Sequence, residues 1–416
     1  MNPSWRWQHV LDAPHRLAFF CAMLVLLFSG AWWALVQWDR MGLGWGLGYA
    51  LSPTLTHSTV MTLGFMPLLF VGFLFTAGPK WMGVRPLLAS QLLTPVALQV
   101  VGWLLWTVGG HWGVPMALVG AALAWFGLAW TQCLFWRLLS QSVVADRMHV
   151  QIIAGAGLLG VVSMAGLLVC LLRNAPELAR LWLLTALWGY VVATFVTVAH
   201  RMLPFFTASA IPMLQVWRPG WLMGGLIAVI AMETLLPWLE WLGLGNGPDV
   251  HVWMLVRGLL ELAAGSVLVC LAFVWGLVKS MKVRLLAMLH IGFVWLGLAI
   301  LLSGLSQLLG FKAGVPALGM GPLHGLTMGF LGSVMLAMVT RVSSGHSGRP
   351  LRADSGAWIA FWILQTAVLL RTGAALPSSS VWLLAVVASL WVLAMVAWGL
   401  PLLGWYGRPR ADGQSG

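Results

Sequence analysis

The sequence predicts an all-α protein that crosses a membrane about twelve times. Three observations predict this. Of its 416 residues, 61% are hydrophobic and only 8% are charged. Soluble domains carry about 25% charged residues, so this chain must use lipid as its solvent. Apolar runs of the roughly 20 residues that a bilayer-spanning helix needs recur along the whole chain. Lys and Arg concentrate in every second loop. A closed barrel would also satisfy the backbone in lipid, but these runs are too long and continuous for barrel strands.

The runs occupy 15–36, 55–78, 86–108, 114–136, 150–172, 180–200, 221–240, 252–277, 285–308, 322–341, 356–372 and 379–403. The first follows MNPSWRWQHVLDAPHRLAFF and ends without an Ala-x-Ala site, so it reads as a retained helix rather than a signal peptide. The 28 Trp suit the lipid–headgroup interface. Of the 22 Lys and Arg, sixteen fall on the side of the N-terminus, five on the other side, and Arg257 inside a span. That bias places both termini in the cytoplasm. A net charge of +12 would suggest nucleic acid in a soluble protein. Here the basic residues stand singly in short loops, so topology explains them and no nucleic-acid partner is expected. Cys21, Cys133, Cys170 and Cys270 lie in apolar runs without CxxC spacing and read as small core residues. There is no Walker loop, no CxxCH and no segment long enough to fold as a soluble domain.

The spans carry a period. Arg85-Pro86, Arg218-Pro219 and Arg349-Pro350 follow spans 2, 6 and 10 at intervals of 133 and 131 residues. His57 and Tyr190 each stand 29 residues before their proline, and His324 stands 26 before its own. Spans 1, 5 and 9 begin with His15, His149 and His290. One transmembrane domain is therefore expected to hold three pseudo-repeated four-helix units, at about 1–140, 141–280 and 281–416. Arg408-Pro409 is a fourth such dipeptide outside the period.

Ten His are present. His9, His111 and His251 read as solvated or interfacial rings. His57 and His324 each open an apolar helix and are each followed four residues later by a methionine, Met61 and Met328. Residues i and i+4 share a helix face, and polar groups in lipid face the bundle interior or a cofactor. Two imidazoles can ligate a haem iron, a His–Met set can hold Cu(I), and two helix-start histidines with methionine filler would look the same. His15, His149, His200, His290 and His346 gather toward the other face. Among these, His15, His200, His290 and His346 are candidates for a second metal site, with Arg16 and Arg201 directly following His15 and His200 as anion contacts. Arg257 and Glu261 lie one turn apart, where they either neutralise each other or serve an anion and, with Glu233, a proton relay.

Several segments carry a resemblance: PHRLAFF (14–20), HSTVMTLGFMPLLFVGFLFTAGPKWMGVRP (57–86), HRMLPFFT (200–207), MLHIGFVWLG (288–297) and HGLTMGFLGSVMLAMVTRVSSGHSGRPL (324–351). In this order they are similar to the NnrS family of bacterial membrane proteins. The resemblance implies a twelve-helix inner (cytoplasmic) membrane protein with haem b and copper, associated with denitrification and with resistance to nitric oxide and nitrosative stress. It nominates His15, His57, His200, His290, His324 and His346, with Arg16, Arg201, Arg341 and Arg349 beside them. Its implied partners are the bilayer, nitric oxide or a related small molecule, and an electron donor that the residues do not identify. The plan also resembles the catalytic subunit of haem-copper oxidases and nitric oxide reductases, where helices 2 and 10 supply haem ligands. That likeness favours His57 and His324 as the haem pair, with Tyr190 at the equivalent place of span 6. Those enzymes also place a His pair on helix 7 and a second His beside the helix 10 ligand. Here span 7 has no His, and Gly325 and Leu326 follow His324, so a binuclear centre of that kind is not expected. An enzyme acting on nitric oxide, a transporter or metal-handling permease, and a haem-bearing sensor or assembly factor without turnover all remain open at this point.

Overall fold

A computed structural model describes residues 4–43, 45–211, 215–376 and 379–413. The chain is an all-α polytopic membrane protein, with no strand among the described residues. Among the described residues eleven helices are long and apolar enough to cross a membrane: α1 (Pro14–Gly42), α2 (Pro53–Met82), α3 (Ala89–Trp112), α4 (Val114–Ser140), α5 (Met148–Leu172), α6 (Pro176–Ala210), α7 (Gly220–Trp241), α8 (Gly247–Val274), α9 (Arg284–Leu309), α10 (Gly321–His346) and α12 (Trp382–Tyr406). The expected run at 356–372 is α11 (Ser355–Gly373), a shorter helix of 19 residues that carries Gln365 and Arg371. All twelve expected runs are thus helical.

Proline chemistry sets many of the boundaries. Pro14, Pro53, Pro115, Pro176 and Pro322 each occupy the first turn of a helix, where the missing N–H costs nothing. Asp354 caps α11 by accepting from the Ala357 N–H at 2.8 Å. Within α2, Pro67 cannot donate to the Leu63 carbonyl, and the helix breaks next door at Gly64. In α6, residues Ala186–Val192 form a π-helical stretch, and in α10 residues Gly325–Gly332 form another. A further π-helical stretch, Asp39–Leu43, closes α1, while breaks interrupt α2, α6 and α10, the second helix of each expected four-helix unit. These three are also the most buried, with 78%, 78% and 83% of the most apolar stretch covered.

The helices group into two compact units. One holds Met1–Thr197, Val342–Leu351 and Gly399–Gly416, and the other holds Val198–Arg341 and Arg352–Trp398. In the first unit α1 packs on α2 and α3, α3 on α4, and α5 on the start of α6. Its two ends of chain are stitched together: the Arg6 N–H donates to the Gly407 carbonyl at 2.8 Å, and the Ala411 N–H to the Ser347 carbonyl at 2.9 Å. In the second unit α8 packs on α9, and α9 and α11 pack on the π-helical stretch of α10. There the Gln365 amide accepts from Trp295 at 2.8 Å and donates to Ser333 at 2.9 Å, joining α9, α11 and α10 inside the apolar core.

Each unit owns one pair of helices in very close contact, and both pairs use glycines seven residues apart. Gly102 and Gly109 of α3 face Gly120 and Gly127 of α4. Gly258 and Gly265 of α8 face Gly297 and Gly304 of α9. A Cβ on Gly102 would come within 2.5 Å of the Gly120 carbonyl oxygen, and one on Gly304 within 2.6 Å of the Gly258 carbonyl oxygen. Lipid tails are as apolar as leucine, so helices associate in a bilayer through such close backbone approach. Gly102→Leu should therefore destabilise the protein by about 1–3 kcal/mol, read as a lowered thermal midpoint in detergent. Gly225→Ala is the control. Nothing lies within 4 Å of its added methyl group, so it should be neutral or stabilise by up to ~1 kcal/mol.

Candidate functional site

A histidine nitrogen that meets a carbonyl or a committed hydroxyl must donate to it, so such partners fix the tautomer. His324 stands in the first turn of α10, and its Nδ1 lies 2.9 Å from the Met320 carbonyl oxygen. A carbonyl only accepts, so Nδ1 carries the hydrogen and Nε2 keeps its lone pair. This is the arrangement that metal-ligating histidines adopt, one ring nitrogen held by a carbonyl and the other presented. Met328 is buried in the π-helical stretch that follows.

His290 of α9 reaches the same state through a side chain. Its Nε2 lies 2.9 Å from Thr207 Oγ1. The single hydroxyl hydrogen of Thr207 goes to the Leu203 carbonyl at 2.9 Å, so Oγ1 accepts from Nε2–H. The Nδ1 lone pair of His290 then points into the protein with no hydrogen-bond partner, and the residue is 0% exposed. Nearby in the same unit, His200 stands edge-on to Trp275 at 6.2 Å between ring centroids, and Trp275 meets Phe293 at 4.8 Å. Pro204 cannot donate to the His200 carbonyl, which loosens α6 at this point. Arg201 follows in the same helix, half-buried. Arg341 lies with its guanidinium 3.8 Å from the centroid of Phe206.

In the first unit, His57 stacks on Trp33 at 3.8 Å with an interplanar angle of 9°. Arg40 sits 5.3 Å from the centroid of the same indole. Met61, one turn on, has its sulfur 3.9 Å from the Ser29 hydroxyl. Tyr190 is buried in the π-helical stretch of α6, packed edge-on to Phe70 and beside Gln132. His57 belongs to the first unit and His324 to the second.

The first unit also brings together residues that are far apart in sequence. The rings of His15 and His346 stand 4.5 Å apart between centroids. His15 is 3% exposed and its Nδ1 has no partner. Beside the pair, Arg16 donates to the Arg408 carbonyl at 2.8 Å and lies 3.6 Å from Asp12. Arg349 lies over Trp405 at 4.4 Å. Burial first, then the neighbouring Arg408 and Arg16, pull Arg349 below the usual arginine value. Arg349 Nη1 and Arg408 Nε are buried without acceptors. Arg408 was not nominated by the sequence. Its Arg-Pro dipeptide was set aside there as lying outside the period. His149 is buried at the start of α5.

The remaining histidines are structural. Trp32 donates to His111 Nε2 at 2.6 Å, and His111 Nδ1–H donates to the Gly48 carbonyl at 2.8 Å, which ties the loop after α1 to α3. His251 Nδ1–H donates to the Phe311 carbonyl at 2.8 Å, and His9 meets Asp12 at 3.0 Å. Arg257 donates through Nε to Glu261 at 2.8 Å, the pairing that the sequence offered beside an anion contact, and through Nη1 also to Glu240. The sequence did not foresee Glu240, which is 17 residues away across a loop.

A family profile described as NnrS protein matches residues 9–410. No curated protein matches the chain. His111→Ala should cost about 1–3 kcal/mol of stability by stranding the Trp32 N–H and the Gly48 carbonyl, measured as a lower thermal midpoint.

Proposed function

The chain belongs to the NnrS family, and from that premise we infer that it is a haem- and copper-binding protein of the bacterial inner membrane that binds or processes nitric oxide. The excess of basic residues on the side of the N-terminus supports cytoplasmic termini. Haem b, when bound, supplies an iron that coordinates nitric oxide and exchanges one electron at a time.

The observation that carries the haem reading is His324. Its Nδ1–H is held by the Met320 carbonyl, and Nε2 is left with a lone pair. Such a ring would need no reorganisation to hold a haem iron. His290 is the second imidazole with a fixed tautomer and an orphaned nitrogen, and it sits near the opposite end of its crossing from the one where His324 begins α10. His57, flat against Trp33, keeps the candidacy that the sequence gave it.

The His15–His346 pair fits an anion better than a metal cation. Two imidazoles bound side by side to one metal at roughly 2.0 Å per bond would hold centroids near the observed 4.5 Å. Arg16, Arg349 and Arg408 crowd the same place, however, and would repel a cation. Their unmatched N–H groups suit carboxylates such as haem propionates. Among the described residues no group of three or more His, Cys, Asp or Glu is placed to hold a metal ion. Copper therefore fits a site with fewer such ligands, and His57 with the soft thioether of Met61 on the same helix is the best set for Cu(I).

Purified protein should show a b-type haem spectrum and contain copper, and His324→Ala should lose haem absorbance. A wild type without haem, or an unchanged spectrum in that variant, overturns the reading. Nitric oxide consumption with an artificial electron donor then separates an enzyme from a sensor, which binds the gas without turnover. Thr207→Val removes the acceptor that fixes His290. If His290 is a ligand, metal or haem affinity should fall about 10–100-fold, measured by cofactor titration.

A further inference from the structure

The carboxyl groups of α7 and α8 form a ladder that none of the above uses. Glu240 is the outermost, at the end of α7 near the α7–α8 loop, with a side chain 36% exposed. It accepts from Arg257 Nη1 and from Trp253 Nε1, the latter at 2.9 Å. Arg257 is 14% exposed and donates through Nε to Glu261, one turn deeper in α8 and 0% exposed. Glu233 lies two turns inside Glu240 on α7, about 10 Å along the axis, and is 5% exposed. Its Oε1 has no hydrogen-bond partner, and neither has Oε2 of Glu261. The charged groups that act on Glu233 are Glu261 and Arg257 of α8 and Glu240 of its own helix. From α9 only the Ser303 hydroxyl adjoins the cluster, beside Glu261.

The charges do not balance. One guanidinium faces three carboxyl groups, and it already bonds to Glu240 and Glu261. An ionised Glu233 would leave the cluster with two net negative charges, one of them buried on a carboxylate whose Oε1 has no donor, and a buried carboxyl in that position takes up a proton instead. Pro237 adds to the polarity of the spot. It stands four residues after Glu233 inside α7, so it has no N–H to give the Glu233 carbonyl. The exposure falls step by step from Glu240 through Arg257 to Glu233 and Glu261, which gives a route from water inward.

We propose that Glu233 is a proton-loading site: it holds an exchangeable proton within the membrane, and the polar line of Glu261, Arg257 and Glu240, in which Arg257 keeps its own protons and only supplies charge, opens it toward water on the α7–α8 loop side. Loading moves one proton from a hydronium ion of the loop-side water to a Glu233 carboxylate oxygen, the donor O–H bond breaking as the carboxyl O–H bond forms, and unloading reverses both. The proposal rests on the second unit alone and stands whether or not the haem reading does.

The test uses the full-length protein in lipid nanodiscs. Dicyclohexylcarbodiimide reacts with a carboxylic acid in apolar surroundings and not with a carboxylate. At neutral pH it should modify Glu233, located by peptide mass spectrometry. The infrared spectrum should contain the C=O band of a protonated carboxyl that shifts in D2O and is lost in Glu233→Gln. The wild-type adduct is informative even if the variant folds poorly. Absence of the adduct, persistence of the band in the variant, or suppression of labelling by sodium at fixed pH would overturn the proposal, the last in favour of a metal-cation site.

Discussion

Hydrocarbon offers no hydrogen bonds, and the rest of this structure follows from that. Every polar atom within a span must be matched by another part of the chain. Most are. Thr and Ser hydroxyls donate to the carbonyl four residues back, as Thr107, Thr185, Thr197 and Thr340 do. Gln365 is held at both ends of its amide. Against this background several of the unmatched atoms stand out by their chemistry: Nδ1 of His290 and Oε1 of Glu233 within spans, and Nη1 of Arg349 and Nε of Arg408 just beyond them. They mark where chemistry from outside the chain is expected to enter.

Those unmatched atoms differ in character from place to place. The histidines of the second unit offer lone pairs in an apolar setting, which suits a metal. The basic cluster of the first unit offers N–H groups and positive charge, which suits an anion. The α7–α8 ladder offers oxygens and a deficit of positive charge, which suits a proton. The local sign of charge separates three roles that residue type alone would leave mixed.

The helices were legible because an apolar run of about 20 residues has one use. All twelve runs are helical, although the eleventh is shorter and more polar than the others. His324 was legible too, because a polar ring opening an apolar run is conspicuous. What could not be read was anything that depends on a partner distant in sequence. Thr207 fixes His290 from 83 residues away, and Arg408 reaches Arg16 across 392. Glu240 was visible as an acidic residue at the end of a span, but its bond to Arg257 depends on how α7 and α8 meet. Whether the threefold period reflects a structural repeat is a separate matter from the breaks in α2, α6 and α10. Hydropathy does not record such breaks, although Pro67 was a clue to the first.

The π-helical stretch of α10 also sets the azimuth of everything after it. Each such turn holds one residue more than an α-turn, and one residue is worth about 100° of rotation. Ser333 toward Gln365, Thr340 toward Trp398 and Arg341 toward Phe206 all lie downstream of it. Removing a single residue between Gly325 and Gly332 would restore an even coil and swing all three contacts off their partners together. A shortened stretch would then disable side chains whose own codons were untouched.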